Sequence, residues 1–90
     1  MANQSVDSRR WASIVRRAFG AVLTECLRAP GVSVSRVARD AGITRAYLHR
    51  LARGQSQPSL STMLALAAAL PIEATKLTAM VKDKAVELSP

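Results

Sequence analysis

Ser33-Val34-Ser35-Arg36-Val37-Ala38-Arg39-Asp40-Ala41-Gly42-Ile43-Thr44-Arg45-Ala46-Tyr47-Leu48-His49-Arg50-Leu51-Ala52-Arg53-Gly54 is the stretch that decides how this chain folds. Val34, Val37, Ala38 and Ala41 recur at the three- and four-residue spacing of one helical face. Ser33, just before them, carries the short side-chain oxygen that caps a helix N-terminus. Gly42 stands where a helix ends in the left-handed conformation, which a residue without Cβ adopts at little cost. Thr44 can cap a second helix and Gly54 can end it. Ile43, Leu48 and Leu51 supply apolar contacts to lock the second helix against the first. The stretch reads as two short helices joined by a tight turn.

At about 100° per residue, Arg45, Ala46, His49, Arg50 and Arg53 fall on one side of the second helix, with Leu48 and Leu51 on the other. The polar side carries no acid. Most charge runs are simply solvated surface, but here spacing, turn glycine and charge sign agree. The pair has the form of a helix-turn-helix, whose second helix lies in the DNA major groove. Arginine can bridge O6 and N7 of guanine, and alanine can touch a thymine methyl.

Ninety residues make a single domain, 1–90, with 1–6 and 89–90 expected as loose ends. An apolar fraction of 49% fits a packed globule and excludes disorder for most of the chain. Only Trp11, Phe19 and Tyr47 are aromatic, and no alternating strand pattern occurs, so the class is all-α. A net charge of +7 predicts attraction to a polyanion. Residues 28–58 hold six arginines against the single acid Asp40, whereas Lys76, Lys82 and Lys84 cancel Glu73, Asp83 and Glu87 further on. The basic surface is thus concentrated on the central stretch. A membrane-surface role would need a large aromatic face opposite the arginines, and only a modest Leu/Ala stripe stands there. The lone Cys26 cannot form an internal disulfide and reads as a small core residue. With no signal peptide and no apolar run long enough to span a bilayer, a cytoplasmic protein is expected.

Outward from the centre, Asp7 or Ser8 can cap a long first helix with Trp11, Val15, Ala18, Val22 and Cys26 as its buried stripe, flanked by Ile14 and Leu23. Arg16, Arg17 and Glu25 lie away from it. Arg9 and Arg10 oppose the positive end of the helix dipole, either tolerated beside Asp7 or held for phosphate. Ala29-Pro30-Gly31 ends that helix. After the polar turn 54–58, Ser59 caps a fourth helix with Leu60, Leu64, Ala67 and Ala68 buried and Met63, Leu66 and Leu70 adding bulk. Pro71 stops it. A fifth helix starts near Glu73 and carries Leu77, Met80, Val81, Ala85 and Leu88 at helical spacing.

The run from Val34 to Leu77 resembles the lambda-repressor-like helix-turn-helix family, the Cro/C1 type of XRE-like regulators. The matching features are Val37-Ala38, Ala41-Gly42-Ile43 at the turn, Leu48 with Leu51, Gly54, Pro58-Ser59-Leu60, the fourth helix to Leu70, and Ile72 with Leu77. The resemblance, which spans residues 8–80 with the first helix included, implies a five-helix domain with the helix-turn-helix at helices 2 and 3. It implies that Thr44, Arg45, Ala46, His49 and Arg50 face bases or adjacent phosphates, and Arg36 and Arg53 join them in the DNA-binding set. Many relatives open the second helix with a glutamine that touches the DNA backbone, and here Val34 stands there. Many also pair an arginine late in the first helix with a glutamate near the end of the third. Leu27 and Ala52 occupy those positions, so an apolar contact is expected in place of the ion pair.

A DNA-binding transcriptional regulator follows, a repressor on an inverted repeat of double-stranded DNA. One recognition helix reads only a few base pairs, which two-fold pairing would double. Leu77, Met80, Val81 and Leu88 are the expected homodimer contacts; the plainer possibility is that Leu77 and Val81 finish the monomer core. The alternative function is an antitoxin, which also represses its own promoter but whose main partner is a toxin protein. An enzyme finds little support in one histidine without a metal-ligand cluster or paired carboxylates, and no cofactor is expected.

Overall fold

The structure, a computed structural model, describes residues 4–90, with side chains from Ser8 onward. Five helices follow in chain order among the described residues: α1 (Gln4–Arg28), α2 (Val34–Ala41), α3 (Arg45–Ala52), α4 (Leu60–Ala69) and α5 (Ala74–Leu88). No strand occurs among the described residues. The chain is all-α, with the helix-turn-helix at α2 and α3.

Local rules place the short helices. The Ser33 side chain accepts from the Arg36 N–H, Thr44 from Tyr47 and Ser59 from Thr62, each at a helix N-terminus. Gly42 adopts φ 73° and ψ 29°. Its N–H donates to the Arg39 carbonyl at 3.1 Å, and that of Ile43 donates to Ala38 at 3.0 Å. This is a Schellman ending, which satisfies carbonyls that a helix terminus leaves free. Gly54 ends α3 in the same way, with Gln55 N–H donating to the Arg50 carbonyl at 2.9 Å.

Eight-residue helices such as α2 and α3 do not persist alone in water, so packing must hold them. α1 lies against both α3 and α5, and α4 against α2 and α5. Leu48 and Leu51 of α3 enter a single core with Phe19, Leu23, Leu66 and Leu77. Each such leucine contributes on the order of 1.5–3 kcal/mol by leaving water. Among the described residues the core encloses no polar or charged residue.

Several sequence expectations shift. α1 begins at Gln4, so Asp7 and Ser8 lie inside it and Arg9 and Arg10 sit in its second turn, away from the unfavourable first one. Of the expected loose arm, residues 4–6 are helical and residues 1–3 lie outside the described residues. At the other end Ser89 caps α5, its N–H donating to the Ala85 carbonyl and its hydroxyl to Val86 at 2.7 Å. The α1 stripe centres on Ile14, Ala18, Phe19, Val22 and Leu23, leaving Trp11 45% exposed. The cause is that α1 buries two faces, one on α3 and one on α5. α4 buries Leu66 and Ala67, while Leu60 and Leu64 are exposed at 70% and 47%. Apart from Ser61 and Thr62 in its first turn that helix is apolar, so its neighbours, not its periodicity, choose the inner face. In α5, Leu77 and Val81 are 1% and 9% exposed and belong to the protomer's own core with Ala85. Of the four residues expected at a dimer face, only half-buried Met80 and exposed Leu88 retain surface.

Candidate nucleic-acid interface

α3 is two-sided, as its spacing predicts. Leu48 and Leu51 are fully buried, whereas Thr44, Arg45, Ala46, Arg50 and Arg53 are exposed and His49 is half-buried. Arg36 is exposed one turn into α2. The turn at Gly42 fixes one helix against the other, so the exposed row of α3 is presented as a rigid edge.

The charges on that edge are free to meet an anion. Asp40, the only acid within residues 28–58, stands 3.6 Å from Arg39 Nε on α2. Among the described residues, none of Arg36, Arg45, Arg50 and Arg53 has a carboxylate within ion-pair distance. Arg50 lies over the Tyr47 ring, 5.4 Å from its centroid. Sequence reading did not assign Tyr47 a part in the site; an arginine three residues after an aromatic on one helix is the signal that was available. Thr44 uses a lone pair to accept the Tyr47 N–H at 3.0 Å, which leaves its hydroxyl proton able to donate.

The far end of α3 is held by α1. Thr24 Oγ1 donates to the Ala52 carbonyl at 3.0 Å, and Arg16 Nε donates to the Gly54 carbonyl at 2.9 Å. Between them, a Cβ at Gly20 would stand 2.8 Å from the Gly54 nitrogen and 2.9 Å from the carbonyl oxygens of Leu51 and Ala52. Only glycine permits so close an approach. Leu27 and Ala52 are both half-buried against the core, but the polar bracing comes from residues earlier in α1. An isolated glycine within a helical pattern signals such an approach; nothing local signals Arg16, read from sequence as pointing away from the core and here half-buried.

Cys26 is half-buried, and desolvation, then neighbouring Glu25, pushes its thiol above the ordinary cysteine value. That suits a structural residue. Among the described residues no three His, Cys, Asp or Glu side chains gather as a metal site.

A helix-turn-helix family model matches residues 23–77, more than half of the chain. The chain belongs to this family. Its members of the Cro/C1, XRE-like type are DNA-binding regulators of transcription and not typically enzymes. Among solved structures, the restriction-modification controller protein C.AhdI from Aeromonas hydrophila shares 39% identity over 68% of this chain and 92% of its own, with a TM-score of 0.63. The clp gene regulator ClgR from Corynebacterium glutamicum has the same fold, with a TM-score of 0.74 at 22% identity over 81% of this chain and 78% of its own. No curated protein matches the chain. Among the described residues no single helix is long and apolar enough to cross a membrane.

Proposed function

We propose that this chain is a sequence-specific repressor that works in the cytoplasm and binds an inverted-repeat operator as a homodimer, with one α3 in each of two successive major grooves. The observation that carries this reading is the row of exposed Arg45, Ala46, Arg50 and Arg53 with half-buried His49 among them, no carboxylate being paired to its arginines among the described residues. Arg45 and Arg50 have the forked donors that read guanine. Thr44 and Arg36 flank the row and would contact phosphates, which set register without reading sequence. The 39% identity to a controller protein supports gene control as the role.

Pairing would double the sequence read and place the two α3 helices roughly 34 Å apart, one turn of DNA. Met80 and Leu88 supply apolar surface for it, and so do Leu60 and Leu64, one turn apart on α4. Leu77 and Val81 contribute only indirectly, by holding α5 in place. Selection of duplexes from a random library by the purified protein tests the whole reading. Enrichment of one short inverted repeat supports it; enrichment of an unrepeated half-site removes the dimer, and no enrichment removes sequence reading. A second polypeptide copurifying in equal amount would shift the role to that of an antitoxin.

A further inference from the structure

We propose that Thr24 and Arg16 of α1 are positioning residues for base reading, and that Gly20 between them makes their action possible. They hold the C-terminal end of α3 at the angle from which its arginines reach base edges. This rests on the proposed role of α3 in DNA.

Residues 16, 20 and 24 are spaced by four and so form one line along α1. That line runs past the end of α3. At one point the Thr24 hydroxyl holds the Ala52 carbonyl at 3.0 Å, and at another Arg16 Nε holds the Gly54 carbonyl at 2.9 Å. The Arg16 guanidinium is itself steadied by Ser13 Oγ, 3.4 Å away. At Gly20 the two backbones meet with no room for a methyl group. The last carbonyls of a helix have no partner within it; α1 supplies one to Ala52, the last residue of α3, and another to Gly54 in the turn that ends it. Arg16 also places a cation at the negative end of the α3 dipole.

Stability has another source, since Leu48 and Leu51 anchor α3 in the core. What the line of contacts adds is direction. Arg45 and Arg53 are about 12 Å apart along the axis at 1.5 Å per residue, so tilting α3 by about 10° at its clamped end moves the other end by about 2 Å. Hydrogen bonds to base edges do not survive such a shift. Attraction to phosphates, which is long-ranged and tolerant of geometry, does. Loosening the line therefore lowers discrimination between sequences and leaves general DNA affinity in place.

The test uses the full chain with Thr24→Val, which removes the hydroxyl at nearly constant shape, and Thr24→Ser, which keeps it. Affinity is measured for the duplex recovered by selection and for a random-sequence duplex, and amide hydrogen exchange is followed without DNA. Loss of one such bond is expected to weaken the selected duplex about tenfold for Thr24→Val. The random duplex should change less than about twofold, and Thr24→Ser should restore the selected one. Exchange should accelerate at Leu51 to Gln55 and hold steady in the middle of α1 and α5. Equal losses on both duplexes, no loss on either, or exchange faster in every helix would overturn the proposal. If the wild-type protein selects no sequence, the DNA-reading role fails by itself. The exchange pattern then still decides whether Thr24 holds α3.

Discussion

The guanidinium of Arg50 lies over the ring of Tyr47, 5.4 Å from its centroid, on the flank of the exposed face of α3. A free arginine side chain must give up much rotamer freedom to reach a base edge. The half-buried Tyr47 ring removes part of that freedom beforehand, since a cation over an aromatic face is held by about 0.5–1 kcal/mol at an exposed site. Tyr47→Phe keeps the ring and should leave affinity for the selected duplex unchanged. Tyr47→Leu should weaken it about two- to fivefold, the equivalent of that energy. Equal binding by both variants in an anisotropy titration would show that the stacking does not prepare Arg50.

Arg45 and Arg50 should behave as base readers. Replacing either by alanine should cost about 1–3 kcal/mol on the selected duplex and much less on random DNA. Arg36→Ala should weaken both duplexes alike and lower the slope of log affinity against log salt by about one. Equal losses on both DNAs for Arg45 or Arg50 would reassign that residue to phosphate contact.

Two glycines should differ in cost for different reasons. Gly42 has φ 73° with open space around a would-be Cβ, so Gly42→Ala costs only backbone strain, about 1–2 kcal/mol. Gly20 has an ordinary helical backbone but stands against the end of α3, so Gly20→Ala must push two elements apart. That places it at about 3 kcal/mol, the upper range for overpacking. Urea unfolding of the two variants measures the order, and a Gly20→Ala protein as stable as wild type would contradict the close approach.

The same contacts show what sequence could and could not reveal. Ser33, Gly42, Thr44 and Ser59 act as their own side chains and neighbours dictate, so the start and stop of α2, α3 and α4 were legible. The exposed face of α3 was legible because Leu48 and Leu51 oppose the arginines. α4 offered little such contrast: Leu60 to Ala69 is apolar but for Ser61 and Thr62, and Leu60 and Leu64, expected inside, face out. Trp11 was expected inside because hydropathy ignores that α1 divides its buried surface between two partners. The Arg16 contact joins residues 38 positions apart, and a charge on a helix says nothing of a carbonyl that far along the chain. In α5 the periodicity was right, but it could not say whether Leu77 and Val81 face the same protomer or another.

Cys26 should react slowly. Its thiol is raised above the ordinary value by desolvation and by Glu25, so less thiolate is present at any given pH than in a free cysteine. Alkylation by iodoacetamide between pH 7 and 9 should be slower than that of glutathione and should rise only toward the alkaline end. Faster labelling than the free thiol at pH 7 would contradict a structural Cys26.

Guanine N7 lies in the major groove, within reach of α3 if its exposed face enters there. Methylation interference on the selected duplex therefore tests the placement of that face directly. The expected result is that N7 methylation at guanines of each half-site blocks the wild-type protein, and that the block at one guanine per half-site disappears for Arg50→Ala. Binding indifferent to N7 methylation, or an interference pattern identical in wild type and Arg50→Ala, would contradict base reading by α3.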